Sequence, residues 1–540
     1  MLPRHRGFHV YIIDTATIAF LILSFMGAAI ASLVLSTLAI LLLSLLLRVL
    51  VRLIWRPYAI TQYFKKQGVD GPGYKFYKGS NEDIKAMKRE ASGLILDRRS
   101  HDVASRVIPH FIKWASQYGN VFLFWFGTNP MLLINDPEMV KHVLANKFGF
   151  YSKLDVDPNI LALLGKGLVL VEGSEWARHR RIVNPAFTMD KLKMLTGKMA
   201  DCVRVMLQGW EEQATRSADK QQEVEVSKQF QELTADVISH TAFGSSFSEG
   251  KEVFLAQKEL QILASANILN IEFPGSRFLP TKKNLCKWKL ERRVNNTLMR
   301  IIQRRLDSKD SSYGHDLLGL MMEASQKQRG QRMSMYEIVD ECKTFFFAGH
   351  ETTSHLLTWA LFLLSTNRDW QEKLRDEVLR ECGQQVPDAD TLSKLKLVTM
   401  VLLETLRLYG PVVQMARKAS QDMALGNISV PKGTALIIPI MMIHRSKEIW
   451  GPDANEFNPH RFKDGISKAA SHPNALLAFS IGPRACIGQN FAMLEAKTVT
   501  AMLLQRFSFS LSPDYKHAPI DFLTLQPQHG LPILFTPLHV

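Results

Sequence analysis

A long uncharged stretch near the N-terminus most constrains what this chain can fold into. From Thr15 to Leu47 no residue carries a charge, a run of 33 positions. As an α-helix such a run would be about 50 Å long, which exceeds the roughly 30 Å of a bilayer core. A membrane helix would therefore occupy part of it, at about residues 28–47. A cleaved signal peptide has an apolar region of only about 7–15 residues, so we predict an anchor that stays in the membrane.

The charges that flank this stretch predict its orientation. Three arginines follow between residues 48 and 56, whereas the N-terminal side has Arg4 and Arg6, offset by Asp14. Because an excess of positive charge marks the cytoplasmic side of a membrane segment, we expect the bulk of the chain in the cytoplasm. The sequence thus predicts a single-pass membrane protein, and we expect its membrane to be that of the endoplasmic reticulum.

The remaining chain shows few signs of division. Pro57 and the Gly-Pro-rich residues 68–73 predict a break after the anchor, and no comparable linker, repeat or low-complexity tract follows. We therefore predict an anchor over residues 1–57, a hinge over 58–73 and one globular domain over 74–540.

Composition excludes several classes of protein. Hydrophobic residues make up 46% of the 540 and charged residues 22%, which is ordinary for a globular chain. The five cysteines are widely spaced and form no C-x-x-C pair, so neither a disulfide framework nor a zinc site is indicated. The net charge of +15 is scattered in small clusters. Such clusters are typical of solvated helix faces, or of surfaces that contact an acidic protein or anionic lipid. We expect no nucleic-acid partner.

Periodicity predicts a mostly helical fold with a minor sheet. Ser334 and Glu337 form a capping-box pattern ahead of a long apolar helix that runs to about Leu364. Further elements follow from the same patterns: helices at about Trp370–Arg380 and Leu392–Leu408, and strand-like segments at Met131–Ile134 and Ala435–Ile440.

A cysteine loop near the C-terminus carries the strongest chemical signal. Residues 479–488 contain the pattern F-x-x-G-x-R-x-C-x-G around Cys486. Gly482 can adopt a positive φ, and Gly488 leaves room for a flat macrocycle. Arg484 can bind a carboxylate. The following residues predict a helix, whose N-terminus would favour a thiolate at Cys486; the alternative is an inert buried thiol.

A second signal lies on the long predicted helix. Residues 348–353 place Glu351 and Thr352 in an apolar context beside the small residues Ala348 and Gly349. One interpretation is a pocket for dioxygen and water, in which Thr352 would hydrogen-bond the oxygen and Glu351 would relay protons from solvent. The other is a hydroxyl bonded back to its own helix and a carboxylate that faces solvent.

A third pattern predicts a buried charge network. Glu404 and Arg407 lie three residues apart on a predicted helix, and Arg461 follows in the segment F-N-P-H-R-F. A buried carboxylate needs charged partners to offset its desolvation. We therefore assign these three residues a structural role.

Together these motifs resemble the cytochrome P-450 superfamily. The Cys486 loop is similar to its haem-binding loop, A-G-x-E-T-T to its oxygen-activation motif, and Glu404, Arg407 and Arg461 to its conserved charge network. Residues 340–353 and 243–247 look like the plant clan 72 group. One departure is Ser480-Ile481 in the haem loop, where an aromatic or small residue is common.

The resemblance implies a haem-thiolate monooxygenase with haem b, in which Cys486 is the axial iron ligand. Its implied cofactor-binding residues are Cys486, Arg484, Phe479, Gly488, Trp176, Arg180 and Arg417. Thr352 and Glu351 would be the catalytic pair, and O2 the cosubstrate. Because no nucleotide fingerprint is evident in the sequence, electrons would come from NADPH through a separate NADPH-cytochrome P-450 reductase. The basic residues near Arg178, Arg181 and Lys282 are predicted docking positions.

The expected substrate is a lipophilic small molecule, with a fatty acid first and a plant hormone or terpenoid second. The residues predicted to line its pocket are Phe346, Phe347, Ala348, Val412, Val413, Met415 and Leu523. Two other functions stay open: a non-catalytic haem-binding sensor or carrier, and a family member that rearranges peroxides. The presence of Glu351 and Thr352 argues against the second.

Overall fold

The computed structural model describes residues 14–217, 221–244, 247–270, 275–307, 313–314, 316–326 and 332–538. Arg4 and Arg6 therefore lie outside the described residues. Most of the described residues are helical, and the α-helices are α1 Thr15–Leu50, α2 Arg56–Lys65, α3 Asn81–Ser92, α4 Ala104–Val107, α5 Pro109–Tyr118, α6 Pro137–Leu144, α7 Pro158–Leu164, α8 Gly173–Val183, α9 Met189–Arg216, α10 Val226–Ala242, α11 Phe247–Asn267, α12 Lys282–Asp307, α13 Leu317–Ser325, α14 Met335–Thr366, α15 Arg368–Cys382, α16 Ala389–Lys394, α17 Lys396–Tyr409, α18 Ile440–Ile443, α19 Lys447–Trp450 and α20 Gln489–Arg506.

The strands are short and gather mainly in two sheets. They are β1 Val121–Phe126, β2 Asn129–Ile134, β3 Tyr151–Ser152, β4 Gln222–Glu225, β5 Met415–Ala419, β6 Met423–Leu425, β7 Ile428–Val430, β8 Ala435–Ile438, β9 Phe507–Leu511, β10 Pro519–Asp521, β11 Leu525–Pro527 and β12 Pro532–Pro537. The larger sheet has the order β1-β2-β8-β5-β3, and a three-stranded sheet has the order β4-β12-β9. The predicted mainly helical fold with a minor sheet is confirmed.

The chain divides into two units, Met1–Tyr63 and Phe64–Val540. In the described part of the first unit, α1 has no buried residue. The helical run Thr15–Lys65 is the one described helix long and apolar enough to cross a membrane, with a mean hydropathy of 2.7 in its most apolar part. Asp14 caps α1 by accepting a hydrogen bond from the Ala16 N–H.

The predicted break at Pro57 is absent from the described structure. A π-helical segment, Val51–Trp55, joins α1 to α2, and Pro57 lies in the first turn of α2. A proline is tolerated in a first turn because its missing N–H has no partner there. The helix therefore continues into the first half of the predicted hinge, and Gly68, with φ 79°, lies beyond its end.

In the second unit, α14 is the central helix of the core. Ser334 and Glu337 form the predicted capping box, and the helix extends to Thr366. It packs against α10, α17, α20 and α7, and nearly all its residues beyond Ile338 are buried. The apolar run in the sequence is therefore explained by neighbours on every side of the helix.

The other predicted elements form with adjusted ends. The helix expected over Leu392–Leu408 is divided at Leu395 into α16 and α17. The strand expected over Ala435–Ile440 ends at Ile438, because α18 begins at Ile440. β8 pairs parallel to β2 and antiparallel to β5, which sets Arg417 opposite Leu436.

Candidate active site

The cysteine loop is folded tightly against the start of α20. The Cys486 N–H donates to the Phe479 carbonyl at 2.9 Å, and the Ala485 N–H donates to the Gly482 carbonyl at 3.0 Å. Gly482 has φ 76°. A Cβ at this position would lie 2.3 Å from the Leu144 carbonyl oxygen, so the loop requires glycine here for both conformation and space.

The Cys486 thiol lies where a helix start can stabilise negative charge. Burial raises the pKa of Cys486, and this effect exceeds the lowering by the backbone N–H groups of Gly488 and Gln489 and by the charge of Arg180. The sulfur is exposed to a cavity. Binding of a cation to the sulfur would complete the stabilisation that these donors begin.

Gly488 leaves the backbone beside the sulfur open. A Cβ built on Gly488 would have Cys486 Sγ, at 3.9 Å, as its nearest neighbour. Ser480, where the sequence departs from the related loops, has φ 59° and a buried hydroxyl with no hydrogen-bond partner among the described residues. Phe479, Ser480 and Gly488 all line the cavity; Phe479 and Gly488 are two of the positions predicted to bind the cofactor.

The cavity has a volume of about 380 Å3 and lies between α14, α8, β5 and the cysteine loop. One face of α14 forms a wall: Phe345, Ala348, Gly349, Thr352 and Leu356. Their spacing of three and four residues is that of a single helical face. Phe187, from the segment after α8, stacks on Phe345 with ring centroids 5.6 Å apart.

Two predicted lining residues of α14 lie elsewhere. Phe346 packs on Phe243 with ring centroids 6.0 Å apart, and Phe347 packs near His350 at 5.9 Å. Neither belongs to the cavity wall of the described structure. The reason is helical phase, because successive side chains on a helix point about 100° apart. Of the three neighbours predicted, Ala348 is the one on the cavity face.

The segment after α17 contributes as predicted at two of three positions. Val412 and Met415 line the cavity, whereas Val413 is buried outside its wall. Leu523 also lies outside the wall, in the turn between β10 and β11 with φ 67°. Leu168 and Val169 also line the cavity, from the segment between α7 and α8, although no local pattern in the sequence distinguishes them from ordinary apolar loop residues.

Thr352 and Glu351 point in different directions. Thr352 lines the cavity and donates its hydroxyl to the Ala348 carbonyl at 2.8 Å. The Glu351 carboxylate is turned into the protein, where Oε1 accepts hydrogen bonds from Gln261 at 2.6 Å and Thr524 at 2.8 Å. The structure therefore brings the hydroxyl, but not the acid, to the cavity wall, and the hydroxyl is bonded back to its own helix as the second interpretation expects.

Two histidines flank the buried Glu351. His350 and His355 each have a ring nitrogen 3.8 Å from a carboxylate oxygen of Glu351. Burial raises the pKa of Glu351, but the combined effect of His355, His350 and the hydrogen bonds from Gln261 and Thr524 is larger and opposite. The pKa of Glu351 is therefore lowered overall. The carboxylate is thus stabilised in its charged form and faces away from solvent, contrary to the surface alternative considered from the sequence.

The glycine beside this pair has a packing role. A Cβ on Gly349 would lie 2.8 Å from Ile238 Cδ1 of α10. The close approach of α10 thus explains a residue that costs about 1 kcal/mol in a helix interior. Both Gly349 and Ile238 also line the cavity.

Three predicted arginines meet at one end of the cavity. Arg180 donates to the Ala485 carbonyl at 3.1 Å, and Arg417 to the Ala416 carbonyl at 2.8 Å. Arg484 lies over the Trp176 ring, 4.5 Å from its centroid. Trp176 and Arg180 come from α8, Arg417 from β5 and Arg484 from the cysteine loop. All four line the cavity.

Lys153 is a fourth cation at this end, and the sequence analysis did not identify it. Its ammonium group donates to the Val169 carbonyl. Burial, followed by the charges of Arg417 and Arg484, lowers the pKa of Lys153 to about 7. Among the described residues, Glu172 is the carboxylate that pairs with this cluster of four cations, and it lies 3.0 Å from Arg484.

These residues fit a haem group. Burial lowers the pKa of Arg180, Arg417 and Arg484. Bound anions such as two propionates would therefore stabilise the charged form of these arginines. The apolar walls suit the macrocycle, and Cys486 supplies a sulfur ligand for iron.

Glu404, Arg407 and Arg461 lie together, as the sequence predicts. Arg407 binds both carboxylate oxygens of Glu404, at 2.7 and 2.8 Å, and Arg461 lies 3.3 Å from Glu404 Oε1. Glu404 and Arg407 are fully buried. Asp453, which the sequence analysis did not include, holds Arg461 at 2.6 Å.

Comparison with known proteins agrees with this geometry. The model of the family "Cytochrome P450" matches residues 95–535. Cytochrome P450 709B1 of Arabidopsis thaliana is 51% identical over 90% of this chain and 95% of the relative. Cytochrome P450 CYP72A616 of Paris polyphylla is 44% identical over 88% of this chain and 93% of the relative, which confirms the resemblance to plant clan 72.

A solved structure has the same fold. The retinoic acid bound cyanobacterial CYP120A1 superposes with a TM-score of 0.73, at 24% identity, over 87% of this chain and 99% of that one. Since the family model, whose range includes the loop that presents Cys486 to the cavity, and the plant relatives extend over most of the sequence, this chain belongs to the cytochrome P450 family and is a monooxygenase.

Proposed function

We propose that this monooxygenase inserts one oxygen atom of O2 into a lipophilic small molecule, with a fatty acid as the first candidate and a plant hormone or terpenoid as the second. The observation that carries the proposal is the apolar wall around Thr352, in the cavity that Cys486 also lines. Such a wall favours substrates with few polar groups. The reaction would be RH + O2 + NADPH + H⁺ → ROH + H2O + NADP⁺.

The chain's own residues would hold the cofactor and exclude water. Bound through Cys486, haem supplies the activation of dioxygen and the transfer of oxygen to a C–H bond. Arg180, Arg417 and Arg484 would bind its propionates, and Trp176 would hold Arg484 in place by stacking. The N–H groups of the α20 start would stabilise the sulfur ligand.

Proton handling would divide between two residues. The Thr352 hydroxyl, on the cavity wall, would hydrogen-bond the oxygen being reduced. Glu351, whose carboxylate is charged in its buried position, would relay protons from solvent only after it leaves Gln261 and Thr524 and turns toward the cavity. The buried position of Glu351 makes this rotation necessary, and the sequence alone gives no reason to expect it.

Electrons would reach the site from NADPH through a separate reductase. Of the basic residues predicted for docking, Arg178 is engaged inside the protein, because it pairs with Glu337 and donates to the Arg332 carbonyl at 2.7 Å. Arg181, on the same helix α8, is exposed. Arg181 is therefore the better candidate for contact with an acidic partner.

Arg181→Glu is expected to slow reduction of the enzyme by its reductase several-fold, because charge complementarity accelerates encounter. Its rate should also depend less on ionic strength. Stopped-flow reduction under carbon monoxide measures both quantities. Lys432→Glu, at an exposed site outside α8, is the matched control. Equal rates for wild type and Arg181→Glu at low salt would contradict docking at this position.

The N-terminal helix would anchor the protein in the endoplasmic reticulum membrane as a single pass, with the catalytic domain in the cytoplasm. Its support is the length and apolarity of the run Thr15–Lys65 and the arginines at positions 48, 52 and 56, which favour the cytoplasmic side.

Membranes from cells that express this chain test the function. With reductase and NADPH, a panel of fatty acids, hormones and terpenoids should yield at least one product that contains an atom from isotope-labelled O2, detected by mass spectrometry. Binding spectra without any product would favour a sensor or carrier. Product from a hydroperoxide without NADPH would favour a peroxide-rearranging enzyme, although Thr352 on the cavity wall supports the monooxygenase.

A further inference from the structure

Outside the cavity, a thiol, a carboxylate and an imidazole meet between two helices. Cys202 comes from α9, and Asp236 and His240 come from one face of α10, four residues apart. Their potential ligand atoms all lie within 4.8 Å of one another. His240 Nε2 is 3.3 Å from Asp236 Oδ1.

The three groups combine burial with access. Cys202 is buried, with 8% of its surface exposed, and burial and then the Asp236 carboxylate raise the pKa of its thiol. Asp236 Oδ1 is buried without a well-formed hydrogen bond among the described residues. The side chains of Asp236 and His240 are 26% and 42% exposed, so a solvated ion can reach them.

A third helix adds an independent sign of an unsatisfied polar site. Glu495 of α20 is fully buried, and neither of its carboxyl oxygens has a hydrogen-bond partner in the described structure. It lies close enough to Cys202 to contribute to the raised pKa of the thiol. Buried carboxyl groups are normally hydrogen-bonded, so Glu495 is a second unsatisfied polar group, on a helix that packs against α9.

We propose that Cys202, Asp236 and His240 form a binding site for a divalent transition-metal ion, with Zn²⁺ as its reference ligand. Tetrahedral zinc at about 2.0–2.3 Å from each ligand separates the ligand atoms by about 3.3–3.6 Å. The His240–Asp236 distance of 3.3 Å already fits, and small side-chain rotations would bring in the sulfur.

The ligand chemistry selects the class of ion. A thiolate and an imidazole favour zinc and its soft or borderline neighbours over Mg²⁺ or Ca²⁺, which prefer oxygen ligands. Three protein ligands leave a fourth position for water. Binding would remove the proton of the Cys202 thiol, because the thiolate is the form that ligates a metal.

The position would let the ion connect helices around the haem cavity. It would tie α9 to α10, and α10 is itself held to α14, where Thr234 Oγ1 donates to the His350 carbonyl at 2.9 Å. α20, which carries Glu495, begins directly after the Cys486 loop. Zinc is therefore expected to raise the temperature at which the protein unfolds.

The test is zinc binding to the untagged, haem-loaded protein. After dialysis against chelator-buffered Zn²⁺, we expect one zinc per haem iron by elemental analysis, and a zinc–sulfur distance of about 2.3 Å by X-ray absorption. Cys202→Ser should lower the affinity by at least about 100-fold, since even outer-shell partners are worth about 10–100-fold. The exposed Cys286→Ser should bind like wild type.

A second variant separates metal binding from the local charge pair. His240→Arg places another N–H donor four residues from Asp236 but provides no metal ligand, so it should remain folded and lose zinc. The carbon monoxide spectrum of the haem checks that each variant is folded. Wild-type zinc affinity in Cys202→Ser and His240→Arg, or zinc bound by nitrogen and oxygen alone, would overturn the proposal and leave an ordinary Asp–His pair.

Discussion

Cys486→Ser is expected to abolish the reduced-plus-carbon-monoxide spectrum of thiolate ligation and, with it, the monooxygenase activity. The thiol is the sulfur that lines the cavity beside the start of α20, and its charge there is favoured by the N–H groups of Gly488 and Gln489. A serine hydroxyl is a much weaker acid and donates less electron density to iron. Product formation should fall to the background of cells that lack the protein.

The matched control for this experiment is Cys286→Ser, because Cys286 is an exposed cysteine on α12. It should retain the wild-type spectrum and turnover. Haem content, measured separately, distinguishes loss of ligation from loss of the cofactor. A Cys486→Ser protein that is active and spectrally normal would refute the proposal that Cys486 ligates the haem iron.

Glu404→Ala is expected to destabilise the haem domain severely. Removal of one partner from a buried ion pair costs about 3–5 kcal/mol, and here Arg407 would be left fully buried without its carboxylate. Arg461 would also lose its contact with Glu404, although it keeps Asp453. Against a total stability of about 5–15 kcal/mol for a typical domain, such a loss is severe.

Chemical denaturation, followed by loss of the haem absorption band, measures this effect. Asp369→Asn, which removes an exposed pair with Lys373, should change the midpoint little. Glu404→Leu combined with Arg407→Met should recover part of the loss, because no unpaired charge remains between these two positions. Wild-type stability in Glu404→Ala would show that the network is dispensable.

Helical spacing groups Phe345 with other residues of α14 but does not orient the helix in the fold. The spacing of Phe345, Ala348, Gly349 and Thr352 identifies one face of a helix, and that face does line the cavity. When a helix is buried on all sides, its sequence pattern does not indicate which face lines the cavity. The prediction of Phe346 and Phe347 as lining residues failed for this reason, since both pack on other side chains.

Sequence alone determined the features that depend on local spacing. These include the mainly helical fold, the capping box at Ser334, the glycine at position 482 and the cysteine that precedes α20. Each is written in a few neighbouring residues, because turns, caps and helix starts are governed by short-range sterics and hydrogen bonds.

Tertiary structure decided the features that depend on residues far apart in the chain. Only packing turns Glu351 toward Gln261 and Thr524, adds Lys153 to the arginines of the cavity, and brings Cys202 to Asp236 and His240. The sequence indicates no zinc site, because its cysteines are widely spaced and form no C-x-x-C pair. Helix packing creates such a cluster without any local pattern, since it joins side chains from separate helices in one place.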